Sequence, residues 1–399
     1  MKKIVYEEKD FLLGDKFVRI VQGFDHLFKQ MTDESTSREE ALNSEGIVPV
    51  NLTTLKPETY TSLEDVYEDL VQLQHEYRTI HDERRRFYMN KQIESIKNLV
   101  LWKKRNLNNF LSRVRGFLFV NDNPFTSDQC ANLHEELQTH FKSIGLRGDL
   151  ESNYGQWTAS RHVPLDEIES VLNELLYKAK ERVVEKMFPE VEDIHIKVKI
   201  VHDVPYSAYC DYVNETMIIN GDLDYTYESL KHLATHEVFP GHTTHLYVRE
   251  QAYLRGEVPA DAALVITNSA SSPLFEGIGD NGLQFIDWMT TDHDRIADTV
   301  QRIKSVAGMN SSYMLNELNR PEHEVRKFLR SFAFGQKEWI DSRMRFISHP
   351  LRAPFIYAYY RGYEGVKEAY KRISDSQKKE FYYYLYENML TAEELRLYG

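Results

Sequence analysis

Residues 229–250 read SLKHLATHEVFPGHTTHLYVRE and bring together the side chains that metal-assisted hydrolysis needs. His236 and Glu237 end an amphipathic helical run. A neutral imidazole can bind a divalent metal, and the carboxylate beside it can act as general base toward a metal-bound water. Zinc hydrolases usually space two such histidines four residues apart, which puts both on one helix face. Here position 240 is Pro, and the next histidine is His242, six residues on. On a continuous helix, six steps of about 100° leave two side chains roughly 120° apart. Pro240 and Gly241 change that expectation. Proline removes an amide donor and clashes with the preceding turn, and glycine accepts unusual backbone angles. A break over 238–241 would return His242 to the side of His236. His245, three residues further, is a candidate for a group behind the ligands or facing substrate. The plain alternative is three helix-face histidines with local hydrogen bonds.

A zinc site of this kind takes a third protein ligand and keeps one position open. Residues 271–288, SSPLFEGIGDNGLQFIDW, supply it. Pro273 suits a helix start, Glu276 falls in the first turns, and Asp280 lies four residues later on the same face. Metal-binding histidines commonly donate their second ring N–H to a carboxylate. Glu276 as ligand and Asp280 as that acceptor make a coherent pair. Gly277 and Gly279 point to close approach by another element, because helix interiors disfavour glycine. The expected cofactor is one zinc ion per chain.

HEVFPGH followed by FEGIGDNG resembles a large bacterial family known as domain of unknown function 885. Its members carry a His-Glu-x-x-Pro-Gly-His motif and a downstream Glu-Gly-Trp motif, are mostly helical, and look like gluzincin metallopeptidases. The resemblance is specific over 217–290 and looser from about 150 to the C-terminus. It implies His236, His242 and Glu276 as metal ligands and Glu237 as the base. The chain departs from the family at Thr243, where a histidine is usual, and at Ile278, where an aromatic residue is usual. Tyr359-Tyr360-Arg361-Gly362 is similar to a Tyr-x-x-Gly segment near the end of that family. A phenol near the metal can donate to a tetrahedral oxyanion. The resemblance favours Tyr359 for this role. Tyr360 stays open, because adjacent helical residues point about 100° apart. Arg361, or Arg161 in YGQWTASRH, is a candidate for holding a substrate carboxylate, which leans toward exopeptidase action.

These groups need elements to hold them. Leu63, Val66, Leu70, Leu73 and Tyr77 recur at helical spacing, and the pattern resumes through Ile93, Ile96, Leu99 and Trp102. Ser127 reads as the cap of a helix over 127–142, and another helix covers 164–188. Residues 31–56 read as a loop. Then 194–201, 208–213 and 215–219 read as three strands of a small antiparallel sheet, with the last strand's edge open to an extended substrate. Nearly everything after Asp224 reads as helix. The expected fold is mainly α (α+β), a multi-helix metallopeptidase-like architecture with one small antiparallel sheet beside the active-site helix. An N-terminal helical region would span 1–150 and a catalytic region 151–399.

Composition narrows the partners. The 399 residues carry 49 Lys+Arg against 62 Asp+Glu, a net charge of −13. That opposes binding to nucleic acid and to anionic membranes. The clusters Arg84, Arg85, Arg86 and Lys103, Lys104, Arg105 read as solvated helix surface. The two cysteines, Cys130 and Cys210, make no disulfide framework and read as ordinary thiols. The N-terminal charges interrupt any signal-like apolar run, and no stretch approaches a membrane span, so a cytoplasmic location is expected. The expected activity is hydrolysis of a peptide or peptide-like amide. The alternatives are hydrolysis of another amide or ester, and a non-catalytic helical binding protein. Oligomeric state is open.

Overall fold

The computed structural model describes residues 4–31, 46–106 and 109–396. It is 66% helix and 6% strand, a mainly helical fold with small sheets. The loop expected over 31–56 lies partly outside the described residues. Its described part contains the short strand Val50–Asn51. No described helix is long and apolar enough to cross a membrane.

The chain forms two compact units. One contains residues 1–122, 245–275 and 364–399, and the other contains 123–244 and 276–363. The expected single boundary near residue 150 does not describe this division. Chain segments far apart in sequence return to each unit, so no one cut separates them.

In the first unit the long helices Glu8–Gln30, Leu63–Tyr77 and Glu83–Lys103 follow the apolar spacing of the sequence. Leu63, Val66, Leu70, Leu73 and Tyr77 are all buried, as are Ile93, Ile96 and Leu99, whereas Trp102 is half-buried. One residue of the basic clusters breaks the surface expectation. Arg85 is fully buried, and its guanidinium donates to both carboxylate oxygens of Asp261 at 2.7 and 2.6 Å. A tyrosine ring on either side, Tyr6 and Tyr77, lies 5.5 and 5.7 Å from the charge. A buried arginine is tolerated because this fork-to-fork pairing replaces its water. Charge runs in the sequence carry no signal of a partner 176 residues away.

The second unit holds the helices Ser127–Ser143, Leu150–Arg161, Ile168–Lys186, Tyr227–Glu237, Asp292–Asn316, Glu322–Ala333 and Lys337–Ser348. Thr126, rather than Ser127, caps the first of these, accepting from Gln129 N–H. The three-stranded sheet has Thr216–Asn220 at its centre, antiparallel to Ala208–Asp211 on one side and parallel to Lys197–Val201 on the other. It is therefore mixed rather than wholly antiparallel. The short 212–215 turn makes the last two strands a hairpin, and the hairpin inserts its more buried strand, with Met217 and Ile219 fully enclosed, next to the first strand. The expected substrate edge at 215–219 is thus paired on both sides, and Lys197–Val201 and Ala208–Asp211 are the two edge strands. Two further antiparallel pairs, of two residues each, join Val50–Asn51 to Leu264–Val265 and His162–Val163 to Tyr225–Thr226.

Candidate metal centre

The Tyr227–Glu237 helix places His236 and Glu237 in its last turn. Thr226 and Ser229 cap its start reciprocally. Lys231 pins its flank, donating to Asp294 at 2.7 Å and to the Trp288 carbonyl at 2.8 Å. The helix stops after Glu237, and the next one, His242–Leu254, begins at the second histidine. Between them Gly241 N–H turns back to the Thr235 carbonyl at 2.9 Å, and Thr244 donates to Val238 through both its N–H and its hydroxyl. Gly241 lies so close to the preceding turn that a Cβ there would stand 1.7 Å from the His236 carbonyl oxygen. Only glycine fits. The result is that the His236 and His242 rings stand edge to face with centroids 4.6 Å apart.

The Ser272–Asp280 helix brings the carboxylates. Glu276 Oε2 lies 3.4 Å from His236 Nε2 and 3.8 Å from His242 Nε2. Asp280 Oδ1 lies 2.9 Å from the other nitrogen of the same ring, His236 Nδ1. The helix can come this near because position 279 is glycine. A Cβ there would meet the His236 ring at 2.8–2.9 Å. His236, Glu237, His242, Glu276 and Asp280 are all buried. Two ligands held at about 2.05 Å in tetrahedral array stand roughly 3.3 Å apart, so spacings of this size suit a zinc-sized ion better than direct hydrogen bonds. Two imidazole nitrogens and one carboxylate oxygen are also the donor set zinc takes where a position stays open. Asp280 behind His236 fixes which ring nitrogen faces the Glu276 carboxylate.

The electrostatics of these groups are tightly linked. Burial alone would lower the His236 pKa, but Asp280, then Glu276 and Glu237, outweigh it and hold the ring well above the ordinary histidine value. Burial and the charge of His236 push His242 well below it. Burial is also the main force raising Glu276. It pushes Glu237 up to about 7, against the opposing pull of His236 and of a hydrogen bond from Cys210 N–H. Asp280 goes the other way. Its burial is overcome by His236 and His232, so it stays ionised below the ordinary aspartate range. Buried acids pulled apart in this way mark candidate acid–base sites.

The remaining candidates fall in different places. The half-buried Tyr359 has its phenol raised well above the ordinary value by burial and then by the charges of Glu276 and Glu237, with Arg343 and Arg352 opposing. Tyr360 packs edge-on against Phe125, centroids 4.7 Å apart. Arg361 donates to the Asn123 carbonyl at 2.6 Å and lies over the Phe125 and Tyr360 rings. Arg161 holds Glu228 through Nε at 2.9 Å and Nη2 at 2.5 Å. Both arginines are thus engaged by the protein itself. His245 is not among the residues gathered at Glu276. Its ring packs against Phe275 and Tyr386, centroids 5.4 and 5.3 Å apart, in the first unit.

Two contributors were passed over in the sequence. His232 Nε2 lies 3.4 Å from Asp280 Oδ1, and His232, His236 and Asp280 form a second group of convergent donors. Its signal was present, because His232 precedes His236 by four residues and shares its helix face. The Cys210 N–H that reaches Glu237 had no signal, since any residue type can supply an amide. Thr243 donates to the Glu237 carbonyl at 3.1 Å and lies 3.1 Å from the Cys210 thiol.

No family model matches the chain, and no curated protein matches it. Two solved structures are similar in fold. One is a putative lipoprotein from Colwellia psychrerythraea, with a TM-score of 0.54 and 10% identity, covering 98% of this chain and 75% of that one. The other is a putative lipoprotein of unknown function from Shewanella oneidensis, with a TM-score of 0.52 and 13% identity, covering 96% and 72%.

Proposed function

We propose that this chain is a zinc-dependent hydrolase of peptide or peptide-like amide bonds. The observation that carries the reading is the convergence of His236 Nε2, His242 Nε2 and Glu276 Oε2, with Glu237 adjoining and Asp280 behind. The resemblance of HEVFPGH and FEGIGDNG to a gluzincin-like family points the same way. When bound, zinc polarises a carbonyl and makes water acidic enough to attack near neutral pH.

The chain's own residues would do the rest. Asp280 accepts from His236 Nδ1 and so presents Nε2 as the ligand atom. Glu237, with its carboxyl pushed up to about 7, is poised to take a proton from the attacking water and pass it to the leaving amine. Cys210 N–H holds that carboxylate in place. Tyr359 stays a neutral phenol and can donate to the developing oxyanion. A peptide is favoured over other amides by the Ala208–Asp211 strand. It is an edge strand that touches Glu237 through Cys210, so an extended main chain could pair along it beside the base.

The test combines metal analysis of protein purified without chelator with a cleavage screen on mixed peptides. Glu237→Gln should keep its zinc and lose about 10²–10⁴-fold in turnover. Glu276→Ala should lose much of both. Normal turnover in Glu237→Gln would refute the mechanism.

A further inference from the structure

Arginine keeps its charge at any pH a protein meets, so a guanidinium drawn out of water calls for an anion or a set of acceptors. Most cations of the second unit have one. Arg161 has Glu228, Arg361 has the Asn123 carbonyl, Arg345 has Asp203, and Arg326 and Lys337 share Asp341. Arg343, on the Lys337–Ser348 helix, has none. Among the described residues it makes no ion pair and no hydrogen bond; the side chain is half-buried, and its Nε is buried without a partner. Its guanidinium lies between aromatic neighbours, 5.4 Å from the Trp339 ring centroid and 5.8 Å from that of Phe346. These faces hold its plane without engaging its N–H groups.

Its position is equally specific. Gly308 touches both Arg343 and Ile356, since a Cβ there would stand in ordinary contact with Arg343 Cδ at 3.5 Å and tightly against Ile356 Cγ1 at 3.1 Å. Ile356 lies one turn before Tyr359 on the Arg352–Lys371 helix. The charge of Arg343 is felt at Tyr359, as are those of Glu276 and Glu237. Arg343 and Ile356 thus meet at Gly308, a turn from Tyr359, whose phenol feels both this cation and the carboxylates of the candidate centre.

We propose that Arg343 receives the free carboxyl terminus of the substrate, so that the chain cuts peptides from that end. This rests on the hydrolase reading for the reaction, though not for the binding. The planar fork of the guanidinium matches a carboxylate in two parallel hydrogen bonds. Water adds across the amide bond nearest the metal centre, the C–N bond breaks, and the products are a new carboxylate and a free amine.

The probe is a pool of N-acetylated tetrapeptides ending in a free carboxylate, set against the same pool ending in a carboxamide. Zinc-loaded wild type should prefer the acids by about 10–100-fold in kcat/KM, carried mainly by KM, the range expected for hydrogen bonds to a charged group. Arg343→Met should bring the ratio of acid to amide to about one with zinc content unchanged. Arg343→Lys, which keeps the charge and loses the fork, should give an intermediate ratio and guards against a folding defect in the methionine variant. Equal rates on the two pools in wild type, or a preference that survives in both variants, would overturn the assignment. Calorimetric binding of the two pools is measured in parallel. Acid-selective binding lost in Arg343→Met, without any cleavage, keeps the assignment and removes the hydrolase reading. Cleavage without acid selectivity does the reverse.

Discussion

His236 sits among Asp280, Glu276 and Glu237, and their combined charge holds a proton on its ring well above the ordinary pKa. A metal must displace that proton, because only the neutral ring offers a lone pair. Zinc affinity should therefore rise with pH through the neutral range and fall as His236 is protonated. Calorimetry in buffers of different ionisation enthalpy near pH 7 should show release of at least about one proton per zinc. Binding without proton release would contradict the electrostatics described for His236. The same ring tests its partner. Asp280→Ala should weaken zinc binding about 10–100-fold in a chelator competition, because the tautomer and ring angle lose their support. An unchanged affinity would leave Asp280 with no part in the centre.

At the scale of elements, two glycines govern how near the pieces come. Gly241 lets the chain double back under His236 between two helices, and Gly279 lets the Ser272–Asp280 helix lie against the His236 ring. Gly279→Ala forces a methyl to within 3 Å of that ring, so ring or helix must move. The expected cost is about 1–3 kcal/mol in urea unfolding, as for other overpacked sites, together with weakened zinc binding. Zinc affinity equal to wild type in this variant would show that the contact is not needed to position His236.

Across the described residues, buried charge also occurs away from the candidate centre. In the first unit Arg85 and Asp261 pair fork to fork, with side chains essentially inaccessible to water. Removing one partner strands the other. Asp261→Asn should cost about 3–5 kcal/mol by urea unfolding, whereas replacing both residues by apolar ones of similar volume should cost much less. A neutral Asp261→Asn substitution would mean that Arg85 finds another acceptor.

What depends on near neighbours in the chain was readable before the fold was known. Apolar spacing marked the Leu63–Tyr77 helix, alternation marked the strands, and Pro240-Gly241 marked the break after Glu237, because these patterns act within a turn or two of the chain. His236 and His242 stood out for the same reason, as residue types six positions apart, whereas Glu276 lies 34 residues beyond His242. Tertiary structure alone decided what depends on distant partners. Asp280 was expected behind a ligand ring, and the fold decided that the ring is His236, 44 residues away; Arg85 meets Asp261 across 176 with no such sign. The hairpin's insertion beside Lys197–Val201 put Thr216–Asn220 at the centre and left Lys197–Val201 and Ala208–Asp211 as the edges. Arg161 and Arg361 looked available in the sequence and are engaged, while Arg343, which nothing in the sequence singled out, is unpaired. A side chain's type is written locally, but whether its charge is already satisfied is settled only by which segments fold against it.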